Sequence, residues 1–361
     1  MSIKQNKDSF FTKLAFNQAD INLGSTESNP SVGCIVVKNN SVISSGYTTD
    51  RGRPHAEANA LKKKIDYKNS DLYVTLEPCS HYGRTPPCTK QIINKKIKRV
   101  IFSLNDCDHR SKSKAEKILK KKKIIVKKFL LKNYAKNFYK SYYLKSLNSL
   151  PFVDAKLAIS KDYFTINKKD KWITNVKSRK LGNFLRSKYD CLLTTSKTIN
   201  NDNPLLDCRI EGLEKKTPTL IIIDRYFKIK TNIKIFSKMN RKIYILTNNN
   251  NRSKENFLKK KGVKVIKLTN EINKNYNIKN ILILIKKLGF NRIFVESGIT
   301  FLNQFLKNKL IKNLYLFIST KKLYSNGKNN SSIFYVKKIS IKKNRRVKVN
   351  LSDDNLYKVK L

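Results

Sequence analysis

Three stretches of the chain carry residue types that could do chemistry together: His55-Ala56-Glu57, then Glu77-Pro78-Cys79, then Cys88. One imidazole and two thiolates fill three corners of the tetrahedron that zinc prefers and leave the fourth for water, which is what distinguishes a catalytic zinc site from a closed structural one. Zinc brings the pKa of that water towards neutrality. A carboxylate two residues from a ligand, Glu57, is then placed to carry protons between the water and a departing amine, the chemistry of hydrolytic deamination at a ring carbon. A structural zinc needs a fourth protein ligand, and neither His81 nor His109, the other two histidines, has an evident claim to that place. A His-x-Glu triplet or a Pro-Cys pair alone arises often by chance. Their ordered combination is what carries information.

The elements that must position these groups follow from the apolar pattern. Strand-like runs fall at 33–38, 43–47, 71–76, 99–103 and 124–127, with helical candidates at 8–22, 56–65, 88–96, 112–122 and 130–148. Pro54 and Pro86-Pro87 put His55 and Cys88 at helix starts, where the positive end of the helix dipole favours thiolate over thiol. Cys34 lies on an apolar strand and reads as core. Leu150-Pro151 breaks the pattern, because proline lacks a donor and fixes φ, and marks a boundary between domains 1–148 and 149–361. Beyond it, strands at 152–158, 190–194, 219–224, 242–246, 263–267, 292–296 and 314–319 interleave with helices at 176–187, 252–260, 278–288 and 299–307, which predicts an α/β domain with a mainly parallel sheet. A chain of 361 residues suits two such domains.

No apolar stretch reaches the roughly 20 residues that span a bilayer, and the polar start Met1–Ser9 lacks a signal-type apolar core, so the expectation is a cytoplasmic protein without a membrane partner. In that setting the six cysteines read as metal ligands or buried side chains, not disulfides. The formal charge of +53 invites a nucleic-acid partner. The lysines are spread along the whole chain in company with asparagine and isoleucine, however, a bias that codon drift accounts for, and no specific nucleic-acid partner is expected. A basic zinc-bearing RNA-binding protein, the competing reading, needs a localised patch with interleaved aromatic rings, and none is visible in the linear order.

Eight residues separate Cys79 from Cys88, where many nucleoside and tRNA deaminases have two. The segment Cys79-Ser80-His81-Tyr82-Gly83-Arg84-Thr85-Pro86-Pro87-Cys88 closely resembles the bacterial riboflavin-pathway deaminase/reductase family. Thr26 to Cys34 is similar to that family's Asn-Pro-x-Val-Gly-Cys element. The resemblance implies a cytidine-deaminase-like three-layer α/β domain followed by a dihydrofolate-reductase-like α/β domain. It implies deamination of a diaminopyrimidinone carrying ribosyl phosphate, with Asn29 on the pyrimidine edge, His81 and Arg84 on the phosphate, and Asp106 as a further substrate contact. Asp106-Cys107-Asp108-His109 departs from the family's Asp-Pro-Asn-Pro and keeps only the first aspartate.

The second half has no G-x-G-x-x-G, so an ordinary dinucleotide fingerprint is absent. Lys156 to Asp162, Trp172-Ile173-Thr174, Thr198 to Arg209 and Val295-Glu296-Ser297-Gly298 resemble successive elements of the family's reductase domain, with Tyr163 where glycine is usual. The resemblance implies NADPH near Ala158, Trp172, Thr198, Asp202, Arg225 and the turn Gly298-Ile299-Thr300. The substrate would lie against Lys156, Asp170, Arg186, Leu206, Arg209 and Glu296, with its ribosyl group reduced to ribityl. A homo-oligomer formed through the reductase domain is compatible with this picture. The alternative within the family resemblance is a deaminase alone, with a non-catalytic C-terminal dimerisation domain.

Overall fold

The computed structural model describes residues 3–83, 85–147, 150–237, 241–268, 277–339 and 346–361. Its contacts divide the chain into two units, Met1–Ser149 and Leu150–Leu361.

The first unit runs α1 (Ile3–Ile21), β1 (Gly33–Lys38), β2 (Ser41–Tyr47), α2 (Ala56–Ala60), β3 (Asp71–Val74), α3 (Cys88–Asn94), β4 (Arg99–Phe102), α4 (Ala115–Lys121), β5 (Ile125–Lys128), α5 (Lys132–Phe138) and α6 (Lys140–Ser146). The sheet order is β2-β1-β3-β4-β5, with β1 antiparallel to both neighbours and β3, β4 and β5 parallel. Successive side chains of β1 point to opposite faces. Ile35 and Val37 therefore pack with Phe11 and Ala15 of α1, while Cys34 and Val36 join Ala56 and Ala60 of α2 on the other side. Two glycines let helices lie directly on this sheet. A Cβ on Gly33 would stand 1.9 Å from the Ala15 carbonyl oxygen, and one on Gly46 would stand 2.4 Å from that of Ala56. The second contact seats the short helix that begins at His55.

Two helices differ from expectation. The helix expected over 56–65 stops at Ala60, where the like-charged run Lys62-Lys63-Lys64 turns to solvent. The helical stretch expected over 130–148 breaks at Tyr139. That ring is buried, with its hydroxyl bonded to Thr75 and to the Ser31 carbonyl, and this anchoring overrides helical continuity.

The second unit runs β6 (Phe152–Ile159), β7 (Ile166–Asn167), α7 (Val176–Arg186), β8 (Cys191–Thr195), α8 (Ser196–Asp202), β9 (Thr219–Ile223), β10 (Ile243–Thr247), α9 (Arg252–Lys260), β11 (Val263–Lys267), α10 (Ile278–Lys287), β12 (Arg292–Glu296), α11 (Ile299–Lys307), β13 (Asn313–Ile318), β14 (Gly327–Lys328), α12 (Phe334–Lys337) and β15 (Asn355–Lys360). The eight-stranded sheet has the order β11-β10-β9-β8-β12-β6-β13-β15 and is parallel throughout except at β13–β15. Val153, Ala155, Leu157 and Ile159 face α10 and α11, whereas Leu192, Ile222, Ile245 and Phe294 face Leu181, Ile199 and Leu258 of α7, α8 and α9. The alternation of strand and helix is thus a doubly covered sheet, as expected for parallel strands. Helix α8, strand β15 and the β7–β14 pair have no counterpart in the apolar pattern. Ile199 is the only buried residue of α8, and β15 buries only Leu356 and Val359, which contribute to different cores.

Candidate active sites

His55 caps α2 immediately after the cis peptide Arg53–Pro54, and Cys88 opens α3 after Pro87. Cys79 lies in the loop that follows β3. These placements bring Cys79 Sγ to 3.6 Å and Cys88 Sγ to 3.4 Å from His55 Nδ1, and the three donor atoms all lie within 4.8 Å of one another. The Cys88 amide donates to Cys79 Sγ at 3.3 Å. The Cys88 thiol, that amide and His55 together draw Cys79 towards thiolate, whereas the same pairing and burial push the Cys88 thiol up. Two soft sulfurs and one imidazole at this separation fit zinc, with one coordination position left over. Glu57, in the first turn of α2, is 3% exposed. Burial lifts its carboxyl to about 7 against the opposing pull of His55, so it can take up and release a proton near neutral pH.

The loops around this cluster are held by Glu77 and Asp106 together with Ser111 and Tyr142, the last two not singled out in the sequence. The buried Glu77 carboxylate accepts the backbone amides of Asp106, Ser113 and Ala115 at 2.9–3.0 Å, pinning the 106–115 loop to the end of β3. Ser111 Oγ meets His81 Nδ1 at 2.7 Å and accepts the Ser80 amide at 3.2 Å. Asp106 is buried and accepts the Tyr142 hydroxyl at 2.8 Å and the Asp108 amide at 3.0 Å; burial raises its pKa. Asn29 is partly buried and donates to the Gly52 carbonyl at 3.4 Å, near the start of the turn that leads to His55. Arg84 lies outside the described residues. Glu77 stood in the Glu77-Pro78-Cys79 stretch of the sequence, but nothing in the linear order showed that its carboxylate holds the 106–115 loop.

In the second unit, β6 and β12 pair so that Lys156 stands beside Glu296. Arg186, from α7, grips the Glu296 carboxylate with two bonds of 2.8 Å, and Lys156 Nζ lies 3.8 Å from it. Burial opposes the charge on Glu296, but Arg186 outweighs it, with help from Lys156 and Arg209, and holds the carboxyl at about 2. Its Nη1 donates to Asn183 Oδ1 and to the Asp207 carbonyl. Four of the five Arg186 N–H donors are thus engaged within the protein. Arg209 is the exposed one, with its side chain 55% accessible and Asp207 3.2 Å away. The Asp202 carbonyl accepts Lys171 Nζ at 3.3 Å.

At the carboxyl ends of β8 and β12, Thr198 Oγ1 lies 3.1 Å from Ser297 Oγ and 3.2 Å from Thr195 Oγ1. Gly298 caps α11, and a Cβ built on it meets nothing within 4 Å, so there is room beside the free amides of the helix start for a phosphate. Ile299 is 1% exposed and belongs to the core, which leaves only its backbone to face a ligand. Thr300 donates to the Asn330 carbonyl at 3.4 Å. Trp172 is 49% exposed, not core; Arg179 stacks over its ring at 4.5 Å, and its amide donates to Asp170 Oδ1. Ala158 lies half-buried on β6. Leu206 is buried with φ 53°, and its carbonyl accepts Arg241. Arg225 follows β9 and lies over the Tyr226 ring at 5.6 Å. Tyr163 adopts φ 69°, the left-handed region glycine favours, in the position where the family resemblance calls for glycine.

A family model of the cytidine and deoxycytidylate deaminase zinc-binding region matches residues 5–104, and one of the RibD C-terminal domain matches residues 151–332. The riboflavin biosynthesis protein RibD of Aquifex aeolicus is 34% identical over 317 residues, 87% of each chain. The chain belongs to the RibD family. The Escherichia coli RibD is 28% identical, with 89% of this chain and 90% of that one covered. Among solved structures, Acinetobacter baumannii RibD (25% identical) and the Thermotoga maritima deaminase/reductase (26% identical) each superpose with a TM-score of 0.80 over 99% of both chains. RibD proteins join a deaminase and a reductase in one chain, and the bifunctional reading and the α/β fold classes drawn from the sequence are borne out. No helix among the described residues is long and apolar enough to cross a membrane.

Proposed function

We propose that the first unit deaminates a diaminopyrimidinone carrying ribosyl phosphate and that the second reduces the ribosyl group of the product with NADPH. The observation that carries the first assignment is the convergence of His55, Cys79 and Cys88 beside the buried Glu57 carboxylate. Zinc held by these three side chains supplies Lewis acidity to a water molecule. Glu57 takes a proton as that water adds to the amino-bearing ring carbon, then delivers one to the nitrogen as the carbon–nitrogen bond breaks and ammonia leaves. The Asn29 amide can both donate to and accept from the pyrimidine edge, while His81 and Arg84 hold the phosphate and Asp106 makes a further substrate contact. Replacing Cys88 by Ser should lower the zinc content of the purified protein well below that of the parent, measured by metal analysis. Unchanged stoichiometry would remove Cys88 from the ligand set.

In the second unit the hydroxyls of Thr195, Thr198 and Ser297, the open space at Gly298 and the exposed Trp172 ring suit a phosphate-bearing dinucleotide at the carboxyl ends of the strands, where open α/β sheets bind ligands. NADPH bound there supplies a hydride. Lys156, oriented by Glu296, and the exposed Arg209 are the cations that face substrate, and Arg186 acts through Glu296. The deciding measurement uses the whole protein. Ammonia should be released from the diaminopyrimidinone without NADPH, and NADPH absorbance should fall only when the deaminated product is present. An active deaminase that never oxidises NADPH would favour a non-catalytic second unit.

A further inference from the structure

We propose that the face of the second unit formed by residues 225–234, α9 and β11 binds single-stranded nucleic acid. These stretches are separated in sequence, so their charges and rings look scattered in the linear order. The fold gathers them. Over 226–230 the chain alternates, exposing Tyr226, Lys228 and Lys230 while burying Phe227 and Ile229. The start of α9 is laid against this segment: Lys254 Nζ donates to the Phe227 carbonyl at 2.6 Å, and Lys254 and Lys267 lie 5.0 and 5.4 Å from the Phe227 ring. Between them lies a shallow cavity, wide open to solvent, lined by Lys228, Lys230, Lys254, Ser253 and Phe257, among others. Glu255 is the one acidic residue in 225–234 and 252–267, and it is already paired with Lys259 and Lys267. Tyr226 and Phe257 are 62% and 42% exposed, and Lys228, which lines the cavity with Phe257, lies 5.8 Å from the Tyr226 ring, so two large rings stand on a face where cations far outnumber acids. Lysines follow a phosphate backbone, and flat exposed rings stack bases of any sequence, which together define a surface for single strands. Rings standing out of the surface favour unpaired bases over a duplex, whose bases are already stacked.

The test is the affinity of the full-length protein for a fluorescent oligouridylate of roughly a dozen nucleotides, within the usual site size of ~4–16, followed by anisotropy at low and at physiological salt. The parent should bind with steep salt dependence. Tyr226→Ala with Phe257→Ala, and Lys228→Glu with Lys230→Glu, should each weaken binding about tenfold or more, given the contribution of a stacked base. Lys121→Glu with Lys122→Glu at the end of α4 removes the same charge elsewhere and should change affinity less than about threefold. Far-UV circular dichroism and the thermal unfolding midpoint of each variant report that it is folded. Equal losses in the α4 control would show diffuse charge attraction and overturn the assignment of this face. Failure of the parent to bind, or displacement of the oligonucleotide by saturating NADP, would overturn it as well, the last by showing that the cavity belongs to the dinucleotide site.

Discussion

Glu57→Gln is expected to lower deaminase turnover by about a thousandfold, in the middle of the range for loss of a positioned general acid–base group, while bound zinc is retained. The substitution keeps the side-chain volume, so the site in which Glu57 is 3% exposed is not emptied. It removes the only function that a carboxylate has over an amide there, the uptake and delivery of a proton. Because His55, Cys79 and Cys88 are untouched, zinc content separates this outcome from a collapsed site. Ammonia release and metal analysis on the same preparation are the measurements. A Glu57→Gln variant that keeps zinc and more than about a tenth of parental turnover would exclude Glu57 as the proton carrier.

The largest effect on stability is expected at Arg186→Ala in the second unit. Glu296 ends a strand whose preceding residues, Phe294 and Val295, are fully buried, and its carboxylate takes both of its short bonds from Arg186. Removing the guanidinium leaves that charge with Lys156 at 3.8 Å and strips donors from Asn183 and the Asp207 carbonyl. Breaking one side of a buried pair costs about 3–5 kcal/mol, because the abandoned charge stays desolvated. Trp172, the single tryptophan, reports urea unfolding of this unit directly. Arg186→Leu combined with Glu296→Leu should recover much of the loss, since it leaves no orphaned charge. The pH dependence has a definite sign. The Glu296 carboxyl sits at about 2 when folded, below an unfolded value near ~4.3. Its stabilisation is therefore complete above the unfolded value and is lost as pH falls towards 2. The double variant should lack this acid-side decline, and an Arg186→Ala protein as stable as the parent would show the pair to be inconsequential.

What the linear order determined is local in physical origin. His55, Cys79 and Cys88 could be grouped because proline-started helices and an apolar strand place each of them by short-range rules. The paired cores of the doubly covered sheet were legible because fully buried parallel strands read as continuous apolar runs. Glu77, by contrast, acts through the amides of Asp106, Ser113 and Ala115, and backbone amides carry no mark in a sequence. Only the tertiary structure decided that Arg186 is committed to Glu296 while Arg209 faces solvent, since the partner Glu296 lies over a hundred residues from Arg186 in the chain. The gathering of Tyr226, Lys228 and Phe257 onto one face was equally out of reach. Side-chain type is written in the chain, but which groups spend their hydrogen bonds and charge on each other depends on strand register and helix docking, which are set by contacts between residues far apart in sequence.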